Sequence, residues 1–311
     1  MASTPGCYWR VGRMPAEHME QKVRPFRCIR PSAVPEAIGL LQEYGADAIL
    51  LAGGTDLIVG LRDGAVTPRV VVDVKGARDL PPLITKADCF LTVAATVAMS
   101  EIESHEIVRT HFPALAEAAA VVGSIQIRNR ATLVGNVCNA SPAADTVPVL
   151  AVYGALVKLV GPSGERLVPV VDFIEGNRRT SLTAGEIAVA LYIPFPDRPF
   201  GTAFARITRR RGVDLATVNL CCGVDDAGVT TFAFGAVSPR PLLVRDASGA
   251  LADPSAKAEA KTIALDAMIA EASPITDVRG SAEYRLAMLG LLARRAQLRA
   301  AARLSNGKTN D

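Results

Sequence analysis

No charge of one sign dominates this chain. Thirty-four Lys and Arg stand against 31 Asp and Glu, a formal net charge of +3 over 311 residues, and the two signs are interleaved except at two places. That balance excludes the basic stripe of a nucleic-acid binder. No apolar run approaches the roughly 18 residues of a membrane-spanning helix, and the opening "MASTPGCYWRVGRMPAEHMEQK" has no apolar core for export, so a cytoplasmic protein is expected. The six cysteines, Cys7, Cys28, Cys89, Cys138, Cys221 and Cys222, include no C-x-x-C pair. Zinc and iron-sulfur sites are thereby disfavoured, and the thiols read as reduced and buried. Neither G-x-G-x-x-G nor G-x-x-x-x-G-K-[ST] stands in the glycine-rich segment near residue 53, which argues against a Rossmann or P-loop site.

What is present is core-building material. Half the residues are hydrophobic, enough for two or three lobes. Residues before about Arg24 lack periodicity and read as a tail, with Met19 as an alternative start. "PSAVPEAIGLLQEYG" predicts a helix with Ser32 as N-cap and Gly45 as its stop. Buried strands are expected at Ala48 to Ala52, in "RVVVDV" and in "FLTVAAT". "SEIESHEIVR" predicts a helix with a Ser100/Glu103 capping box, and "FPALAEAAAVVG" another helix. "ALVKLVGPSGERLVPVVDF" predicts a hairpin about Pro-Ser-Gly, and "EIAVALYIP" a strand ended by Pro194. Beyond Pro199 the texture changes: "LATVNLCCGVDDAGVTTFAFGAV" predicts a long antiparallel hairpin, with helices from about Arg245. The last helix would pack through Tyr284, Ala287, Met288, Leu291 and Leu292, with Arg294, Arg295 and Arg299 following.

Two stretches carry more than core. In "LLAGGTDLIVGLRDG", Gly53 and Gly54 have no Cβ, so the backbone can take positive φ and a ligand can reach its amides, as in an anion-binding nest ahead of a helix. The alternative is a plain strand-to-helix turn with Thr55 or Asp56 as N-cap. In "GSIQIRNRATLVGNVCNASPAADTVPVLAVYGA", Gln126, Arg128, Asn129, Thr132, Asn136, Asn139, Ser141 and Asp145 lie among small and apolar residues, a pattern suited to a large, polar, partly buried ligand. Here too a structural alternative stands: the asparagines could satisfy turns, and Ser141 or Asp145 could cap a helix beginning near Pro142.

"LLAGGTDL", "QIRNRATLVGNVCNASPAAD", "FARITRRRGVDLATVNL" and "DVRGSAEYR", in this order, resemble the FAD-binding medium subunit of the molybdenum hydroxylases: the xanthine, aldehyde and nicotine-type dehydrogenases, 4-hydroxybenzoyl-CoA reductase and the carbon monoxide dehydrogenases. The resemblance covers about Arg24 to Ala301. It implies an α+β fold: a PCMH or vanillyl-alcohol-oxidase-like FAD domain over residues 24–198, in subdomains of about 24–76 and 77–198, then an antiparallel-sheet-and-helix domain over 199–303 and a tail at 304–311.

By matching position, Leu50, Leu51, Ala52, Gly53, Gly54, Thr55, Asp56 and Leu57 would wrap the FAD diphosphate and ribityl chain, with the amides of Gly53, Gly54 and Thr55 as donors. Thr132, Gly135 and Asn136 would contact the diphosphate and the flavin side. Asp145 matches the acidic FAD contact, Ala140 and Ser141 line the same wall, and Ala188 and Arg206 complete the implied set. Arg209, Arg210 and Arg211 read as a solvated or subunit-facing patch. Where relatives commonly have T-I-G-G-N, this chain has Val134 in place of the first glycine. Thr55, Asp56 and "SPAAD" differ from the carbon monoxide dehydrogenase pattern and tilt the resemblance toward a heterocycle, aldehyde or aryl substrate. No metal is expected in this chain, and His18, His105 and His111 are not placed to tether a flavin, so FAD would be non-covalent.

The implied role is an electron-transferring oxidoreductase subunit. A molybdopterin-binding large subunit would oxidise the substrate, a small subunit with two [2Fe-2S] clusters would relay electrons, and FAD would pass them to an external acceptor. A dimer of heterotrimers is implied, with no catalytic acid or base needed in this chain. The rivals are a self-sufficient FAD-dependent oxidoreductase and a non-catalytic assembly protein of the same fold.

Overall fold

The computed structural model describes residues 23–307. The Met19 start, His18, Cys7 and the last residues of the C-terminal tail lie outside them.

The chain begins with two parallel crossovers. Strands β1 (Arg27–Ile29), β2 (Ala48–Leu51) and β3 (Val70–Asp73) form a parallel sheet in the order β1-β3-β2, with helix α1 (Val34–Tyr44) between the first two and α2 (Leu57–Arg62) between the last two. The central strand β3 is buried along its whole length, as its uninterrupted valines predict. Strand β2 is an edge strand and only half-buried, a correction to the buried strand expected there. The N-cap of α1 is Ala33 rather than Ser32, because Pro35 sits within its first turn and the Ser32 hydroxyl and amide both donate to Glu36.

A second, antiparallel sheet has the order β4-β5-β10-β6-β7: β4 (Ile84–Lys86), β5 (Phe90–Ala94), β6 (Leu156–Gly161), β7 (Gly164–Pro169) and β10 (Ile187–Pro194), with β8 (Ile174–Gly176) and β9 (Arg179–Thr180) as a small separate hairpin. Between β5 and β6 run six helices: α3 (Met99–Ser104), α4 (Glu106–His111), α5 (Pro113–Ala120), α6 (Ile125–Arg128), α7 (Leu133–Cys138) and α8 (Thr146–Val152). The expected single helix in "SEIESHEIVR" breaks at His105, whose ψ of 127° is extended. The Ser100/Glu103 capping box does not form either: Glu101 accepts from the Ala98 amide, and Glu103 pairs with Arg128 instead. A short α9 (Val170–Phe173) follows β7.

The last lobe is a four-stranded antiparallel sheet, β11 (Phe200–Ile207), β12 (Val218–Asp225), β13 (Thr230–Gly235) and β14 (Leu242–Arg245), covered by α10 (Ala258–Ile269) and the long α11 (Ala282–Gly307). It has its own apolar core, while Phe204 and Cys221 belong to the core of the preceding lobe. The fold is α+β.

The face of α11 differs from the periodic expectation. Arg285, Leu289, Leu292, Ala293, Ala296 and Ala300 are buried, whereas Tyr284 and Leu291 are exposed. Only Leu292 of the expected face is buried, because the helix is turned by one residue, about 100°. Arg285 sets that rotation: its guanidinium donates to the carbonyls of Thr217 at 2.6 Å and Ala236 at 2.9 Å and to Asp277 at 2.6 Å. Small residues then let the backbone come close, and a Cβ on Gly201 would stand 2.1 Å from the Ala300 carbonyl oxygen. Arg299 ties α11 to α5 through Glu117 at 2.9 Å. Cys221 and Cys222 are buried, but Cys28 and Cys89 are exposed, the former on edge strand β1 and the latter in the turn before β5. Among the described residues, no helix is long and apolar enough to cross a membrane.

Candidate functional site

Strand β2 ends where the glycine turn begins. Lys75, just after β3, donates from Nζ to the Ala52 carbonyl at 2.7 Å and also pairs with Asp73, which Arg30 holds from the other side at 2.8 Å. Burial would raise the Asp73 carboxyl, but the Lys75 and Arg30 bonds outweigh it and hold the group below the usual carboxylate range. The end of β2 is thereby fixed to the sheet's central strand. Periodicity gave no sign of Lys75 here.

Gly53 then packs backbone against backbone on the second motif. A Cβ there would lie 2.2 Å from the Arg130 carbonyl oxygen and 2.9 Å from the Ala131 Cα. Gly54 takes φ +77°, which L side chains rarely adopt. Among the described residues, the amides of Gly53, Gly54, Thr55, Asp56 and Leu57 donate to no protein group. Four of them, Gly54 to Leu57, are the free first amides of a helix that opens where Ile58 donates to the Gly54 carbonyl, and the Gly53 amide adds a fifth. Asp56 stands at the N-cap position of α2, yet its side chain caps nothing: it accepts from Asn139 Nδ2 at 3.2 Å, across the two motifs. The capping alternative for this turn is not realised.

The second motif is built on three short helices, α6, α7 and α8. Thr132 is a true N-cap, accepting from the Gly135 amide at 3.1 Å, and it bridges to Ala98. Val134, where relatives have glycine, lies in the helical run of α7 with its side chain 2% exposed in the core, so the position demands no glycine. Asn136 accepts from the Thr146 hydroxyl at 2.7 Å, which ties α7 to α8. Ala140 takes φ +47°. Asp145 is at the N-cap position of α8 but, like Asp56, caps nothing. Ser141 accepts from the Ala143 amide at 3.4 Å, a turn contact. Gln126 and Asn129 are exposed and stand apart from this cluster.

Asp145 looks instead into the C-terminal lobe. Arg206 on β11 donates to its Oδ2 at 2.6 Å and Asn219 on β12 to its Oδ1 at 2.9 Å; Asn219 also reaches the Ala143 carbonyl at 3.4 Å. The Asp145 and Arg206 side chains are 8% and 15% exposed. Burial pushes the Asp145 carboxyl above the ordinary carboxylate range, and Arg206 and Asn219 offset only part of that rise. Opposite Asn219, a Cβ on Gly235 would stand 2.0 Å from Asn219 Oδ1, so the glycine makes room for this amide. Asn219 was missed as a site residue, although an asparagine inside the apolar "TVNLCCGV" is a signal of a buried hydrogen-bonding role.

The structure thus joins Ala52 to Asp56, Thr132 to Asn139, Asp145 and Arg206 into one connected region. Leu50 and Leu51 lie in the half-buried strand behind the turn, and Leu57 opens α2. Ala188 is 6% exposed at an irregularity in β10, the strand packed against α7, and makes no polar link to the loops. Arg209 pairs with Asp214 at 3.1 Å, and Arg210 and Arg211 are exposed. His105 ends α3, and His111 packs edge-on to Phe195 at 5.3 Å.

Comparison with known proteins places this geometry. A profile described as the FAD binding domain in molybdopterin dehydrogenase matches residues 24–196, and one described as the CO dehydrogenase flavoprotein C-terminal domain matches 203–300. The nicotinate dehydrogenase FAD-subunit of Eubacterium barkeri is 33% identical over 234 residues, 72% of this chain and 79% of that protein. The carbon monoxide dehydrogenase medium chain of Afipia carboxidovorans is 31% identical over 281 residues, 89% of this chain and 97% of that one. The solved carbon monoxide dehydrogenase from Hydrogenophaga pseudoflava, which lacks the Mo-pyranopterin moiety of its molybdenum cofactor, superposes with a TM-score of 0.83 at 31% identity, covering 91% of this chain and 99% of that one. Taken with the polar region just described, both profiles in this order identify the chain as a member of the FAD-binding family of the molybdopterin dehydrogenases, an oxidoreductase subunit whose cofactor is FAD.

Proposed function

We propose that the glycine turn and the Thr132–Asp145 segment hold FAD between them, and that this chain works as the medium subunit of an assembly with a molybdopterin-binding large subunit and a [2Fe-2S] small subunit. The observation that carries the site is the run of five unspent amides at residues 53–57. Such a run suits a diphosphate, because each N–H can donate to a phosphate oxygen with no protein acceptor to displace. The missing Cβ of Gly53 serves a second purpose: it lets the turn sit directly on the Arg130–Ala131 backbone, so both loops face one ligand.

The assigned contacts are Leu50 to Leu57, Thr132, Gly135, Asn136, Ala140, Ser141, Asp145, Ala188 and Arg206. The Asp56 carboxylate is suited to accept from ribityl or ribose hydroxyls. Asp145, locked by Arg206 and Asn219, fixes the wall between the FAD domain at about 24–198 and the C-terminal domain at 199–303. The FAD these residues would hold would supply redox chemistry, a relay from the partner's iron-sulfur clusters to an external acceptor. The residues of this chain bind it, orient it and limit its exposure to water, and none need act on the organic substrate. Relatives named for nicotinate and for carbon monoxide match this chain about equally well, which supports a substrate site on the partner rather than here. A dimer of heterotrimers in the cytoplasm completes the reading.

The test is the visible spectrum of the native, affinity-purified protein with its co-purifying chains identified. Flavin bands with iron-sulfur absorbance and two further subunits are expected. A colourless chain that takes up no added FAD would sink the proposal, and a yellow chain active alone would replace it with a self-sufficient oxidoreductase.

A further inference from the structure

Three described non-glycine residues have left-handed φ: Ala140 at 47°, Arg178 at 58° and Ala236 at 60°. All three meet at one segment. The Arg178 amide donates to the Ala140 carbonyl at 2.9 Å, and the Ala236 amide donates to the Pro142 carbonyl at 2.7 Å. Strained backbone of this kind is kept where the surrounding structure enforces it, and it gathers at ligand clamps. Ala236 has a place in the scaffold, since its carbonyl accepts from buried Arg285. Arg178 is the second residue of the two-residue turn that joins β8 to β9, a place where positive φ is common but is usually supplied by glycine or asparagine. Glycine would take its φ without cost, yet the position holds the side chain with the most hydrogen-bond donors.

That side chain reaches the junction of the two loops. Its Nη1 donates to Asn139 Oδ1 and lies 3.7 Å from Asp56 Oδ1, and both charged side chains are 59% exposed. An exposed pair at that separation contributes little by itself. The guanidinium has five N–H donors and makes one hydrogen bond here, so most of its fork is unspent. A planar fork held beside a run of free amides matches the oxygens of a phosphate ester.

We propose that Arg178 is a further cofactor-binding residue, whose guanidinium engages the diphosphate of FAD and closes the glycine turn against the Asn139 loop. Asn139 aims the group, and Asp56 is the partner it gives up when the anion arrives. The inference rests on the FAD reading above.

Arg178→Gly removes the fork while accepting the native φ, and Arg178→Lys keeps the charge without the fork. Titrate the flavin-freed full chain and both variants with FAD, and separately with riboflavin, which lacks phosphate, at several salt concentrations; melt each apo-protein to check folding. The glycine variant is expected to fold like the parent and to bind FAD at least tenfold more weakly, with a shallower salt dependence. Riboflavin binding is expected to be unchanged, and the lysine variant to fall between. If the parent binds FAD and Arg178→Gly binds it equally well, or if riboflavin weakens by the same factor as FAD, the assignment to the diphosphate is overturned. A parent chain that binds no FAD overturns the parent reading as well, so the two failures are told apart by the parent alone.

Discussion

The glycine turn and the Asp145 seam face the same region but are built in opposite ways. At residues 53–57 the polar groups are backbone amides with no protein partner, on a half-exposed segment. At Asp145 they are side chains from three elements, buried and bonded to one another at 2.6 and 2.9 Å. Unspent donors can be given to an anion at no cost in broken protein bonds. A buried network whose donors are already bonded within it has little to give, but it fixes position, because moving any member would leave another unpaired in a poorly solvated place. On the proposed reading one wall binds, and the other holds that wall in register.

The largest expected effect tests the seam. Asp145→Ala should cost about 3–5 kcal/mol in denaturant unfolding, since it strands the Arg206 guanidinium and the Asn219 amide. A loss below about 1 kcal/mol would mean that the seam does not hold the two lobes together. Gly53→Ala comes next: with no space for the methyl group, about 1–3 kcal/mol of stability should go. Flavin content per chain should fall more steeply than the melting temperature, and a variant that keeps its flavin would break the contrast between the walls.

Capping separates the two loops further. Thr132→Ala should destabilise by about 1 kcal/mol, as loss of a real N-cap does, whereas Asp56→Ala removes no cap at all. Equal losses of apo-protein stability in the two variants would contradict the assignment of Asp56 to cross-loop bonding.

A pH scan supplies a reference away from both walls. The Arg166 hydrogen bond holds Glu186 down from 4.5 to about 2. Its folded pKa is depressed, so its contribution is present above pH 4.5 and fades as pH falls toward 2. Glu186→Gln should therefore be less stable than the parent at neutral pH and converge with it near pH 2; a constant difference across the scan would refute the linkage. The smallest effect belongs to exposed Arg211, where serine should shift stability by no more than about 0.5 kcal/mol.

The parts of the fold legible in the sequence share a physical origin. Strand β3, the β6–β7 hairpin about Pro162 and Ser163 and the β12–β13 hairpin are dictated by side chains within a few residues of each other, through turn chemistry, continuous apolar runs and, in β6, alternating burial. The break at His105 left no periodic signal, and the rotation of α11 was not legible because it is decided by partners from other segments. Arg285 finds its acceptors on Thr217 and Ala236, 68 and 49 residues away, and an arginine at a helix start reads in sequence as a solvated end.

The same division runs through the site. By itself, the sequence determined that a side-chain-free turn follows a strand near residue 53, that a polar loop follows near residue 132, and which family carries both, because these are properties of contiguous residues. Only the tertiary structure decided that Asp56 answers to Asn139 across 83 residues, that Asp145 spends its charge on Arg206 across 61, and that Arg178 arrives between the loops from a hairpin of its own. A buried or half-buried polar group takes whichever partner packing brings within about 3 Å, and along the chain that partner leaves no periodic trace.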